Sequence, residues 1–283
     1  MRTNPRVVVV GHVTHDRYGD EIVAGGSALY GARTHHALAA EVHLVSTVGA
    51  DFACEGALGP IGRTINRAGA TTTFTNVYAP GRARVQRLGA QAPAVDPSTC
   101  PPAWRDCDLL HLAPVIGEVD LAAWLAGTRA RFVGIGVQGW IKSAAGDAVV
   151  QRPWTITPAG LAGVHAACVG EEDLHDQGDL LDRLVAGVPV VAFTHGRNGC
   201  EVICAGQSTR IGVYPVDEID PTGAGDVFAA AFFLRLAQGA SAVDAARLGA
   251  AAASIAVEAR DATSLGRLPE AWRRADEIRL ESW

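Results

Sequence analysis

The sequence predicts an α/β fold: a central, mostly parallel sheet covered by helices on both faces, with a small β lid. Three observations predict it. Nearly half of the 283 residues are apolar, enough for a large core. Short β-branched runs alternate with helix-like stretches, the pattern of strand–helix–strand units. Two regions break that alternation with adjacent strand-like runs, residues 71–88 and 202–216.

In chain order, Arg6–Val10 reads as a strand and Ser27–Ala40 as a helix with Ser27 as candidate N-cap. Val42–Ser46 is again a strand. Thr71–Tyr78 and Arg82–Leu88, joined by Ala79-Pro80-Gly81, read as a hairpin that covers a pocket or pairs with a second subunit as a homodimer contact. Asp108–Leu112, Arg131–Ile135, Ala166–Val169 and Pro189–Thr194 read as short buried strands. Leu121–Ala126 and Asp179–Ala186 read as helices between them. Val202–Cys204 and Ile211–Val216 suggest an antiparallel edge. From Gly223 onward the chain reads as helical: Ala224–Gln238, Ala242–Ala259 and Pro269–Ile278. There is no low-complexity linker or internal repeat, so residues 1–283 read as one domain, with about 71–90 forming the lid.

Composition excludes several classes. The chain carries 24 basic and 30 acidic residues, a net charge of −6, which disfavours nucleic acid as a partner. The six cysteines form neither CxxC pairs nor zinc spacings and point to a reducing, cytoplasmic location. No apolar stretch reaches the roughly 20 residues of a membrane span. Alanine-rich Leu248–Val257, flanked by Arg247 and Glu258, reads as a buried core helix. Lys142 is the only lysine. No GxxxxGK[ST] occurs, which excludes P-loop chemistry, and Lys142 lies in a loop-like stretch that ill suits a pyridoxal enzyme. Gly134-Ile135-Gly136-Val137-Gln138-Gly139 fits GxGxxG, but no apolar helical stripe follows, as a dinucleotide fold requires. His12, His15 and Asp16 lack a diagnostic metal spacing. No Gly-x-Ser-x-Gly elbow is present.

The most informative segment is Asp220-Pro221-Thr222-Gly223-Ala224-Gly225-Asp226-Val227-Phe228. Pro221 disfavours helix at Asp220. The glycines permit a tight turn and close ligand approach. The apolar run Val227–Leu236 then makes a buried helix whose first amides form an anion hole. Asp226, in the first helical turn, is placed to orient a hydroxyl and take its proton late in phosphoryl transfer.

This segment resembles the C-terminal signature of the ribokinase-like (PfkB) carbohydrate-kinase family, Asp-Thr/Ser-x-Gly-Ala-Gly-Asp-x-Phe, with Pro221 in place of Thr/Ser. The resemblance extends over nearly the whole chain. Val7–Val10, Gly11 and Asp16 fit a strand followed by a substrate-binding aspartate. Gly25-Gly26 fits the pair that opens the first long helix, and Gly49 and Asp51 fit a Gly-x-Asp stretch. Thr194-His195-Gly196-Arg197-Asn198-Gly199 fits a nucleotide-side loop, and Ala250–Ile255 the wall of the adenine pocket. Two departures stand out. Tyr30 replaces the family's Asn, and Gly170-Glu171-Glu172-Asp173 replaces Asn-x-x-Glu. They bear on ribose or fructose specificity more than on kinase chemistry. His15-Asp16, Tyr78–Gly81, Arg84–Leu88 and Gln138-Gly139 further resemble the inositol-kinase-like branch.

The resemblance implies a kinase using ATP and Mg2+, with monovalent-cation dependence open. Gly223, Ala224 and Gly225 would form the anion hole and Asp226 the general base. Thr194, Gly196, Gly199, Asp220, Thr222 and Ala251 would line the nucleotide site. Asp16, Gly25, Gly26 and Gln138 would hold the acceptor, a cyclitol-like polyol or sugar. Glu171, Glu172 and Asp173 would handle magnesium through water. A nucleoside kinase of the same fold and a non-catalytic sugar or nucleotide sensor are the alternatives.

Overall fold

The computed structural model describes residues 4–77 and 85–281. The expected turn at 79–81 and the motif residues Tyr78 and Arg84 lie outside the described residues. In chain order the elements are β1 (Arg6–Val10), β2 (Thr14–Tyr18), β3 (Glu21–Gly25), α1 (Ser27–Ala37), β4 (Glu41–Gly49), β5 (Gly62–Ala68), β6 (Thr73–Val77), β7 (Val85–Ala90) and β8 (Asp106–Leu112). There follow α2 (Leu121–Gly127), β9 (Arg129–Gly136), α3 (Gln138–Ile141), β10 (Lys142–Ala145), β11 (Ala148–Gln151), β12 (Ala166–Gly170), α4 (Leu180–Gly187) and β13 (Val190–Thr194). The chain continues with β14 (Cys200–Cys204), β15 (Gln207–Ile211), α5 (Ala224–Ala237), α6 (Ala242–Ala256), α7 (Ala271–Glu277) and β16 (Leu280–Glu281).

The main sheet runs β16-β15-β14-β13-β12-β9-β8-β1-β4-β5. Pairing from β5 to β13 is parallel, and β13 to β16 form the expected antiparallel edge. Successive strand residues point to opposite faces, so each face builds its own core. Val7, Val9 and Leu109 pack with α1, α5 and α6, including Leu29, Phe232 and Phe233. Val8, Val10 and Leu110 pack on the other face with Trp124 of α2 and Leu180 and Leu184 of α4. Fully burying each such large side chain contributes roughly 1.5–3 kcal/mol. Two glycines of the GxGxxG match are explained by this packing: the Phe233 ring lies on Gly134, and the Pro114 backbone crosses Gly139.

The hairpin strands β6 and β7 belong to a larger second sheet, ordered β10-β11-β7-β6-β2-β3. Phe74 and Leu88 of this sheet, with Val149, pack on Val115 and Ile116 from the loop after β8.

Several expected boundaries shift for physical reasons. Gly26, not Ser27, is the N-cap of α1: its φ of 96° is left-handed, and Ser27 is the first buried helical residue. The helix stops at Ala37, before Ala39 with φ 66°. The edge strand expected at 211–216 lies at Gln207–Ile211, because the turn Ala205-Gly206 pairs Cys204 directly with Gln207. The helix expected over 242–259 ends at Ala256, and the carbonyl of Val257 receives the amides of Ile219 and Asp220 at 2.8 and 3.2 Å. Pro269 lies in a 3-10 run, Asp261–Glu270, and the last helix starts only at Ala271. Among the described residues no helix is long and apolar enough to cross a membrane. All six cysteines are free thiols.

Candidate active site

The signature segment folds as a turn that delivers a helix N-terminus. The Thr222 amide donates to the Asp220 carboxylate at 2.9 Å, and the Ala224 amide to the Pro221 carbonyl at 3.2 Å. Gly223 takes φ 78° as N-cap of α5. The helical ladder begins with the Val227 amide on the Gly223 carbonyl, at 2.9 Å. The Gly225 and Asp226 amides precede that bond, where helix geometry directs such groups toward an external anion. Gly225 is exposed and Asp226 half-buried, so both adjoin open space.

Tyr30 of α1 is the side chain that ties this turn to the acceptor side. A Cβ on Gly223 would stand 2.6–2.7 Å from three carbons of its ring. The ring is only 4% exposed. Burial, and after it the charges of Asp16, Asp226, Tyr18 and Asp220, push the Tyr30 phenol upward, so it stays protonated. Asp16 and Asp226 thus both act electrostatically on one phenol. Asp16 sits on β2 and accepts from the Thr14 hydroxyl at 2.9 Å. Its carboxylate occupies the space that a side chain at Gly25 would fill, and a side chain at Gly26 would overlap the His12 carbonyl. Gly25 is thus required for the carboxylate's place.

On the far side, β12 ends in the turn Gly170-Glu171-Glu172-Asp173. The Gly170 amide donates to the Asp173 carboxylate at 2.9 Å. Burial raises the Asp173 carboxyl; that amide, the charge of Lys142 and the Gln138 side-chain amide act against the rise. Gln138, expected on the acceptor side, opens α3 and acts electrostatically on Asp173. Burial, then Cys200, Asp173 and Asp226, raise the Cys168 thiol on β12, which places both carboxylates near the carboxyl end of that strand. Ligands of open α/β sheets bind at this end.

Thr194 closes β13 and lies beside Gly170. The turn Gly196–Asn198 follows, and Gly199 returns the chain with φ 84°, its carbonyl accepting the His195 amide at 2.8 Å. Ala251, expected in the nucleotide site, is fully buried on the core face of α6. In the acidic trio expected to handle magnesium through water, Glu171 and Glu172 face solvent while Asp173 is half-buried. Among the described residues no three His, Cys, Asp or Glu side chains could jointly hold a metal ion.

His12, His35, His111 and Asp51 have structural partners. His12 bonds the Pro93 carbonyl and the Thr72 hydroxyl, each at 2.9 Å. Asp51 accepts from the Thr71 amide and hydroxyl at 2.9 and 2.7 Å. His35 and His111 form a buried pair at 3.1 Å. Tyr30 and Lys142 are the site neighbours to which sequence reasoning gave no role. Tyr30 was visible as a departure from the family pattern, and Lys142 as the only lysine.

Comparison with known proteins agrees with this architecture. The family described as pfkB family carbohydrate kinase matches residues 165–270. An inositol 3-kinase of Oryza sativa subsp. japonica is 48% identical over 59 residues, 21% of this chain but only 15% of that protein's length. Among solved structures, a pyrophosphate-dependent myo-inositol-1 kinase converted by mutation into a myo-inositol-3 kinase superposes with a TM-score of 0.77 at 18% identity, covering 96% of this chain and 98% of that one. Arabidopsis thaliana ribokinase, complexed with ribose and ATP, gives a TM-score of 0.71 at 19% identity over 96% and 99% of the two chains. Residues 165–270 of this chain thus match the pfkB family carbohydrate kinases, and the whole has a ribokinase-like α/β fold.

Proposed function

We propose that the chain transfers a phosphoryl group from ATP to a hydroxyl of a small polyol, with an inositol-like cyclitol as the favoured acceptor. The observation that carries this reading is the left-handed Gly223 turn packed on the Tyr30 ring, with Asp226 in the first turn of α5 and the Asp16 carboxylate set over Gly25, just before α1 begins. A kinase of this kind needs one carboxylate to hold the acceptor and another to receive its proton.

In this mechanism Asp16 accepts hydrogen bonds from acceptor hydroxyls next to the reacting one. Asp226 orients the reacting hydroxyl and takes its proton as the bond to phosphorus forms. The amides at the start of α5, with the helix dipole, bind the equatorial phosphoryl oxygens, where charge is spread in a loose transition state. Gly223 and Gly225 keep side chains away from the phosphoryl path. Thr194, Gly196 and Gly199 line the donor side, with Asp220 fixing the turn. Magnesium would enter with the donor phosphates and retain waters, since the residues of the Gly170–Asp173 turn do not form a protein-built cage. When bound, it supplies charge neutralisation at the donor.

The short 48%-identical match to an inositol 3-kinase supports the cyclitol over simple sugars. A structural neighbour that uses pyrophosphate makes pyrophosphate the second donor to assay. The test is a panel of myo-inositol, ribose, fructose and nucleosides against ATP and pyrophosphate, with products read by phosphorus NMR. A phosphomonoester of a cyclitol is expected. Ligand binding without any phosphorylated product would overturn the reading in favour of a sensor. A phosphorylated nucleoside as sole product would overturn the acceptor class.

A further inference from the structure

Lys142 has no part in the mechanism above, yet the fold brings it to the donor side. It is the first residue of β10 in the second sheet and is half-buried. In the β10–β11 register it stands opposite Gln151. The Gln151 side-chain amide donates at 2.8 Å to the carbonyl of Glu172, in the turn that follows β12 of the main sheet. This edge of the second sheet is thereby fastened to the Gly170–Asp173 turn, and Lys142 lies within electrostatic reach of Asp173. Asp173 is itself held by the Gly170 amide at 2.9 Å.

Charge makes this placement informative. A phosphoryl in transfer and its leaving group are polyanionic. The side chains around the Gly223 turn are Asp16, Asp220 and Asp226, and Asp173 borders the same strand end. The α5 N-terminus offers only about half an elementary charge. An anion entering an acid-lined cleft needs a full cation. Arg197 is exposed and paired with Glu218 at 3.4 Å. Arg33 opens onto a groove of about 340 Å³ with Leu58, Ile61 and Leu265. Lys142 is a basic side chain that acts on the Asp173 carboxylate beside the strand end. Its compact ammonium on a flexible stem suits a shift of a few ångströms from carboxylate to phosphate.

We propose that Lys142 is a donor-binding residue: its ammonium is parked by Asp173 in the donor-free protein and engages the terminal phosphates when the donor enters. The inference rests on the kinase reading and deepens it, assigning the donor's P–O–P linkage, common to ATP and inorganic pyrophosphate, to a residue of the second sheet.

The test uses the full chain with Lys142→Met, Lys142→Arg and Asp173→Asn. Calorimetry with magnesium ATP and, separately, with magnesium pyrophosphate reads donor affinity without acceptor; steady-state kinetics then separates donor KM, acceptor KM and kcat. Lys142→Met should weaken donor binding about 10- to 100-fold, the range expected for losing one hydrogen bond to a charged group. Acceptor KM should not change. Lys142→Arg should recover part of the loss. Asp173→Asn frees the ammonium without removing it, so it should lose less donor affinity than Lys142→Met. Weakening toward both probes, or toward one alone, supports the assignment and identifies the donor. A folded, active Lys142→Met with unchanged affinity for both overturns it. Equal losses in Lys142→Met and Asp173→Asn also overturn it, because they would mark a purely structural pair. Should Lys142→Met fail to fold, Lys142→Gln serves in its place. A wild-type chain that forms no phosphorylated product overturns the kinase reading itself, a result distinct from an active enzyme indifferent to Lys142.

Discussion

Replacing Gly223 with Ala tests the link between the anion-hole turn and its buried backing. Two costs apply. At φ 78° an L-residue loses roughly 1–2 kcal/mol relative to glycine. The new methyl also meets the Tyr30 ring at 2.6–2.7 Å, closer than real Cβ contacts come. Tyr30 is 4% exposed, so the ring cannot swing away without repacking α1 against α5, an overpacking cost of about 1–3 kcal/mol. Together the change should destabilise the fold by about 2–5 kcal/mol. It should also displace the amides that follow and lower turnover. Urea unfolding of Gly223→Ala, Tyr30→Ala and the double variant separates the two costs. The clash vanishes with the ring while the backbone cost remains, so the double variant should be more stable than the sum of the singles predicts. Gly223→Ala within about 0.5 kcal/mol of wild type, the range of ordinary surface changes, would refute the close contact. Full additivity would refute the coupling.

Further outcomes follow from the same geometry. Asp16→Asn should raise acceptor KM about 10- to 100-fold by removing a charged hydrogen-bond acceptor, and leave donor KM unchanged; an unaltered acceptor KM would remove Asp16 from the acceptor site. Burial holds His111 at about 3, below its ordinary 6.5. The unfolded chain thus binds a proton between about pH 6.5 and 3 that the folded chain does not, so stability is full above that window and falls as pH drops into it. This one histidine should cost on the order of 2 kcal/mol at pH 5. NMR should find its imidazole neutral at pH 5, whereas an ordinary titration near 6.5 would contradict the burial.

Much of the main sheet was legible in the sequence because its strands are apolar and bounded. Val7–Val10 could hardly be anything but a buried strand, and the signature turn announced α5. The second sheet was legible only at β6 and β7. Strand β2 reads Thr-His-Asp-Arg-Tyr, which lacks an apolar face, and β10 is Lys-Ser-Ala-Ala. Their turns did carry a signal: Gly19-Asp20 joins β2 to β3, and Gly146-Asp147 joins β10 to β11, both two-residue hairpin loops. At the site, the order of motifs gave Asp226, Gly223 and Asp16. It did not give Tyr30 or Lys142, whose positions depend on α1 packing against α5 and on the second sheet docking at the turn after β12. An alanine-rich helix such as α6 does not advertise which face is buried. Leu248, Ala251, Ala252 and Ile255 all point into the core.

The most direct measurement compares wild type and Asp226→Asn for product formation from the best donor–acceptor pair, with donor binding measured in parallel by calorimetry. The account predicts turnover lower by about 100- to 10,000-fold, the usual contribution of a general base, with donor affinity retained. Near-normal turnover in Asp226→Asn would contradict it.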